Sequence, residues 1–248
     1  MSEVSHQSTT TRPERMIAID VGAGTQDVLI YESGKPYENL VKLVLPSRTQ
    51  IVGQRIRAVT AAGAPLHLAG TVMGGGASSD AVRDHLAAGL PVSATPAAAR
   101  TMDNDLGRVE AMGITLRDDA PSGASVVELS DIDVEGLRDG LARFDVELPE
   151  AAAIAVQDHG YRPGSGNNEV RFEYLQSLIE NGGRLEEMIF RTPPAEMTRM
   201  AAVQECWPGA WSMDTGAAAV MGALGDPAVA EAANGPGAIL VNVGNMHT

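Results

Sequence analysis

Apolar residues come in short runs, each broken by glycine or by a polar turn. Met16 to Val21, Asp27 to Tyr31 and Leu40 to Leu45 read as strands separated by Gly-rich and polar turns, an antiparallel opening. From Ser47 the pattern changes, with a helix-like stretch to about Ala62, a short run "LHLAGT" and a helix from Ser79 to about Ala88. Further pairs follow: "GLPVSAT" as strand and "PAAARTMDNDLGRVEAMG" as broken helix, then "ASVVELS" as strand and Val134 to Phe144 as helix. "AAAIAVQD" reads as a buried strand, because its run is apolar and too short for a helix. Glu169 to Asn181 and Pro194 to Glu205 have helical patterns, "DTGAAAVMGALG" is a helix of small residues ending at glycine, and "GAILVNVG" is the last strand. Strands alternating with helices predict an α/β domain, its sheet largely parallel with an antiparallel hairpin at the start.

One pattern occurs twice. Ile17-Ala18-Ile19-Asp20-Val21-Gly22 is echoed by Ile239-Leu240-Val241-Asn242-Val243-Gly244, two strand ends that each run into a glycine turn. For the first turn, Gly22-Ala23-Gly24-Thr25-Gln26-Asp27, three phosphate loops compete. A Walker A loop needs Gly-Lys-Ser/Thr, whereas Gly34-Lys35 is followed by Pro36. A dinucleotide fingerprint needs a helix after the glycines, whereas Asp27 leads into the strand "VLIY". What remains is a hairpin whose glycines, Gly22 and Gly24, let backbone N–H groups converge on an anion, with Thr25 and Gln26 adding side-chain donors. Asp20, ending the first strand, would then face a magnesium ion and its waters.

Composition narrows the partners. The 248 residues carry 18 Lys and Arg against 32 Asp and Glu, a net charge of -14 that repels nucleic-acid phosphates and anionic membranes. The single cysteine, Cys206, excludes an internal disulfide and any cluster built from several thiolates of one chain, and it fits a cytoplasmic protein. Residues 1–15 read as a disordered polar tail, and no apolar run reaches the roughly 18 residues of a membrane span.

The Asp20-Val21-Gly22-Ala23-Gly24-Thr25 turn resembles the first phosphate loop of the actin, sugar kinase and Hsp70 superfamily, and the turn at Asn242-Val243-Gly244 resembles its second. More closely, "DVGAGTQDVLIY", "MGGG", "VQDHGYRPG", "MDTGAAA" and "VNVGNMHT", in that order, resemble an uncharacterised bacterial and archaeal family labelled as a pyruvate formate-lyase-activating enzyme. A radical activase needs three cysteines for its iron–sulfur cluster, so that label finds no chemistry in a chain with one. The superfamily resemblance implies ATP and magnesium held in a cleft between two lobes. It implies a ribonuclease H-like first lobe over residues 16–235. Residues 236–248 would be the first strand and turn of a second, truncated lobe. On that expectation the 248 residues alone bind nucleotide weakly, and the C-terminal edge strand is open to self-association. Two departures accompany the resemblance: Asn242 stands where many relatives carry aspartate, and Thr248 precedes the adenosine-binding part.

Other motifs carry two readings each. Gln157-Asp158-His159-Gly160 follows the buried-looking strand, where open α/β sheets place ligands; Asp158 would act as base with His159 assisting, or would only cap local amides. Gly74-Gly75-Gly76 before Ser79 and Asp80 is a flexible loop into a helix, suited to substrate or to simple capping. Asp214 and Thr215 open the small-residue helix and border the cleft in the resemblance; Asp214 alone would also serve as a cap. His67, His85 and Cys206 read as structural, and Asp103-Asn104-Asp105 as a helix start rather than a calcium loop. Two functions stand side by side: an ATPase or small-molecule phosphotransferase, and a nucleotide-sensing or assembly module with little turnover that controls a protein partner.

Overall fold

The computed structural model describes residues 13–165 and 169–243. The chain opens with β1 (Arg15–Val21), β2 (Thr25–Glu32) and β3 (Val41–Pro46). There follow α1 (Arg48–Ala61), β4 (Leu66–Gly70), α2 (Gly76–Ala87), β5 (Val92–Ala94), α3 (Pro96–Ala99), α4 (Leu106–Ala111) and β6 (Ile114–Leu116). Then come β7 (Ser125–Leu129), α5 (Val134–Ala142), β8 (Ala152–Val156), α6 (Glu169–Glu180), α7 (Thr198–Cys206), β9 (Trp211–Met213), α8 (Thr215–Leu224) and α9 (Pro227–Asn234).

The strands form two sheets rather than the single sheet that alternation suggested. The first is mixed, in the order β3-β2-β1-β8-β9, with β2 antiparallel to its neighbours and β1, β8 and β9 parallel. The second is all parallel, in the order β6-β5-β4-β7, and is inserted between β3 and β8. Parallel strands need long crossovers: α2 supplies the one from β4 to β5 and the α3–α4 segment the one from β5 to β6, while α1 carries the chain from the first sheet to the second. Each sheet has its own core. Ile17, Ile19, Ile30, Ile154 and Val156 of the mixed sheet pack with Leu137 of α5 and with Met200 and Val203 of α7. Leu66, Leu68, Val92 and Val127 of the parallel sheet pack with Val52 and Ile56 of α1 and Val82 of α2. His67 and His85 are buried within this second unit, where His67 Nδ1 meets Ser93 Oγ at 2.9 Å and His85 Nδ1 meets Thr60 Oγ1 at 2.8 Å.

Three local readings change. The first turn is tighter than its six residues, Gly22 to Asp27, suggested: Val21 pairs with Gln26 and Gly22 N–H donates to Thr25 C=O at 3.0 Å, so only Ala23 and Gly24 form the tip. Arg15 already belongs to β1, one residue before the expected strand start. Residues 238–243, expected as a strand, adopt no strand conformation, and Ile239, Val241 and Val243 stand exposed; an apolar run becomes a strand only where an edge receives its backbone groups. Among the described residues, no helix is long and apolar enough to cross a membrane.

Candidate functional site

In open α/β sheets ligands gather beyond the carboxyl ends of the strands, above all where neighbouring strands continue to opposite sides. Both sheets turn such ends toward one cleft of about 850 Å³. Asp20 to Ala23 enter it from β1, Gln157 to Gly160 from β8, Thr215 and Gly216 from the start of α8, and Val72 to Gly76 from the loop after β4. Of the residues singled out in the sequence, the cleft therefore gathers Asp20, Gly22, Thr25, Gly74, Gly75, Gly76, Asp158, His159, Thr215 and Asn242. Gly24 and Asp214 do not line it, and Gly244 lies outside the described residues.

Gln26 is placed elsewhere. Side chains alternate along a strand, so with the turn reduced to two residues Gln26 faces inward, 4% exposed, and its amide donates to Pro46 C=O at 3.5 Å. The same alternation puts Asp27 directly across from Asp20 on the cleft face. Thr215 Oγ1 donates to Asp20 Oδ1 at 3.3 Å. Partial burial pushes the Asp20 carboxyl above its ordinary value of 3.8; the Thr215 hydroxyl opposes the shift and the charge of Asp27 adds to it. The hairpin tip is fixed from behind. Ser47, which caps α1, donates its hydroxyl to Ala23 C=O at 2.8 Å and its N–H to Gly24 C=O at 3.0 Å. Because C=O and N–H point oppositely across a trans peptide, the Ala23 carbonyl bonded to Ser47 leaves the Gly24 N–H turned the other way. At Gly22 a Cβ would stand 2.8 Å from the Thr25 carbonyl oxygen, so no larger residue fits without opening the hairpin.

Asp158 is buried and its carboxylate is engaged: Oδ1 accepts Gly160 N–H at 2.9 Å, and Oδ2 accepts Arg199 and Met200 N–H at 2.8 and 2.9 Å. It thus closes the first turn of α7 from a distant strand end, the capping alternative of its sequence reading. Burial raises its pKa from 3.8, opposed by those three N–H donors and by the Arg199 charge. Asp214 is likewise buried. It caps α8 through Gly216 N–H at 3.0 Å, and its Oδ1 also receives Arg171 Nη2 at 2.8 Å.

The arginines are what sequence reading missed. Arg199 forms a two-pronged pair with Asp131, Nε to Oδ2 at 2.5 Å and Nη2 to Oδ1 at 2.8 Å, and donates Nη1 to Gln157 C=O at 2.9 Å. Asp131 Oδ1 in turn accepts Gly74 N–H at 3.0 Å. This chain ties α7 and β8 of the mixed sheet to the glycine loop of the parallel one. Burial alone would lower the Arg199 pKa, but Asp131, Asp158 and Asp214 more than offset it and hold the guanidinium charged. Gly74 must be small here, since its Cβ would meet Arg199 Nη2 at 2.7 Å. Arg100 and Arg171 complete a set of three arginines lining the cleft. No spacing announces Arg171 or Arg199, because each ion-pair partner lies tens of residues away: 43 for Arg171 and Asp214, 68 for Arg199 and Asp131. Asp27 did carry a signal, its parity with Asp20 across a two-residue turn.

The cleft is lined by Asp20 and Asp27 on the hairpin and by Arg100, Arg171 and Arg199 on other elements. Two carboxylates suit a hard divalent cation that keeps most of its waters, and the arginines suit an oxyanion. Among the described residues, no group of three or more His, Cys, Asp or Glu side chains gathers to hold a metal by itself. No curated protein and no solved structure matches the chain. A family model does match, over residues 73–248, a span that includes the glycine loop, Asp131, Asp158, Arg171, Arg199 and Asp214. The chain belongs to the family described as "Putative pyruvate format-lyase activating enzyme (DUF1786)".

Proposed function

We propose that the protein binds a magnesium–nucleotide complex in this cleft and acts as an ATPase or as a phosphotransferase to a small molecule. The observation that carries the reading is the meeting of the Asp20/Asp27 pair, the fixed hairpin tip and the glycine loop Gly74 to Gly76 at the carboxyl ends of two sheets. The strand order β3-β2-β1-β8-β9 with β2 reversed also supports a ribonuclease H-like lobe of the actin and sugar kinase type, the architecture implied by the opening motif. Asp20 and Asp27 would hold the cation through its waters; the hairpin tip and Thr25 would receive phosphate oxygens. A magnesium ion held there would supply charge neutralisation of the transferring phosphoryl group. Arg199, paired with Asp131 and bonded to Gln157 C=O, would keep the strand end of β8 and the glycine loop in register on either side of the ligand. His159 lines the same cleft and, in this reading, would assist proton movement at the acceptor. Radical activation is not part of this reading, since one cysteine cannot bind an iron–sulfur cluster that needs three.

One observation favours the second reading, a nucleotide sensor with little turnover: Asp158, the sequence's candidate base, spends its carboxylate on three backbone N–H groups. Steady-state phosphate release by the full-length protein separates the two. The enzyme reading expects magnesium-dependent turnover that falls at least a hundredfold in Asp20→Asn. Asp158→Asn, which still offers an amide oxygen to α7, should lose less than tenfold if Asp158 positions α7 rather than moving a proton. Nucleotide binding without turnover in the wild type would establish the sensor instead.

A further inference from the structure

The cleft's positive charge is not evenly compensated. Arg199 is neutralised by Asp131 and Arg171 by Asp214, each at hydrogen-bond distance. Arg100 differs. It caps the short helix α3, its Nη1 donates to the neutral Asn104 carbonyl at 2.6 Å, and among the described residues it enters no ion pair, although it is half-buried in the wall of the cleft. A half-buried guanidinium that lines a cleft and is paired with no carboxylate is an electrostatic vacancy for an anion, because partial desolvation strengthens any charge-assisted pair made there.

Its surroundings are built rather than accidental. The next residue, Thr101, accepts the Met73 N–H on its hydroxyl at 3.1 Å, which fixes the Arg100 segment against the glycine loop. Asn104 Oδ1 receives the Thr198 hydroxyl at 3.4 Å, which fixes the other side against the start of α7. The segment that carries Arg100 is thereby tied to both units of the fold, and it lines the parallel-sheet wall of the cleft, whereas Asp20 and Asp27 belong to the mixed-sheet hairpin.

We propose that Arg100 anchors an oxyanion, carboxylate or phosphate, carried by the acceptor molecule, so that the substrate class is a small organic acid or phosphorylated metabolite. This rests on the magnesium–nucleotide reading for the word acceptor, but the anion subsite itself does not. A neutral sugar or alcohol would leave Arg100 buried and unpaired on binding, which selects against such substrates.

The test is the shift in melting temperature of the full-length protein with inorganic phosphate and, separately, acetate, for wild type, Arg100→Gln and Arg100→Lys, with MgATP titrated into each in parallel. A ligand that binds only the folded state raises the melting temperature according to its concentration over Kd. The expected result is stabilisation by at least one anion, weakened at least tenfold in Arg100→Gln and partly restored in Arg100→Lys, with MgATP affinity within twofold throughout. Phosphate alone acting points to a phosphorylated substrate, acetate alone to a carboxylic acid. Equal anion response in Arg100→Gln, or none in wild type, overturns the subsite. Arg100-dependent anion binding together with no MgATP binding leaves the subsite standing and removes the nucleotide reading.

Discussion

At the residue scale the behaviour of Asp20 follows from its neighbours. Partial burial and the Asp27 charge hold its folded-state pKa above 3.8, so between 3.8 and that raised value the folded protein binds more protons than the unfolded chain. Stability from this group therefore rises on acidification through the window and falls as pH increases through it. Thermal melts in chelator should show wild type losing stability relative to Asp20→Asn as pH climbs out of this window, and magnesium should close the gap by favouring the ionised pair. A pH-independent difference between the two proteins would refute the assignment. Asp20 was legible in the sequence because it ends an apolar strand before glycine. Asp27 was harder to read: its parity with Asp20 becomes a signal only once the stretch Gly22 to Asp27 is recognised as a two-residue turn followed by strand.

At the scale of elements, most helices and strands were readable because apolar periodicity and caps agree. Ser47, Asp214 and Asp226 each cap a helix through the side chain, as their types suggest. Helix α9 went unread although Asp226-Pro227 is a cap followed by proline in the first turn. Strand β6 has only Ile114 to Leu116, too few residues for alternation to register. The attachment of α7 was not legible at all, because Arg199 finds Asp131 only in three dimensions. Removing one partner of that buried pair leaves an uncompensated charge, so Arg199→Met should cost about 3–5 kcal/mol in urea denaturation. Adding Asp131→Asn, which removes the orphaned charge but still accepts the Gly74 N–H, should recover most of it. A loss under about 1 kcal/mol, or a double variant no better than the single, would mean that the pair does not join the two units.

At the scale of the whole molecule, two α/β units with separate cores meet at a cleft, and the polar side chains that meet there are those the hydrophobic pattern cannot place. The sequence announced the cleft's backbone, its glycine turns and strand ends, because short residues at strand ends are a local signal. It did not announce the charge layout, because ion pairs across two sheets have no local signature; the division into two sheets was equally invisible, since both obey the same alternation of strand and helix. The central claim is that the Asp20/Asp27 wall holds the cation of a magnesium–nucleotide complex. Isothermal titration of the full-length protein with ATP, with and without magnesium, for wild type and Asp20→Asn/Asp27→Asn, tests it most directly. The account predicts that magnesium tightens ATP binding in the wild type, and that the double variant loses at least tenfold in MgATP affinity, about 1.4 kcal/mol, with metal-free ATP changed little. No magnesium-dependent binding in the wild type, or equal MgATP affinity in the variant, would contradict it.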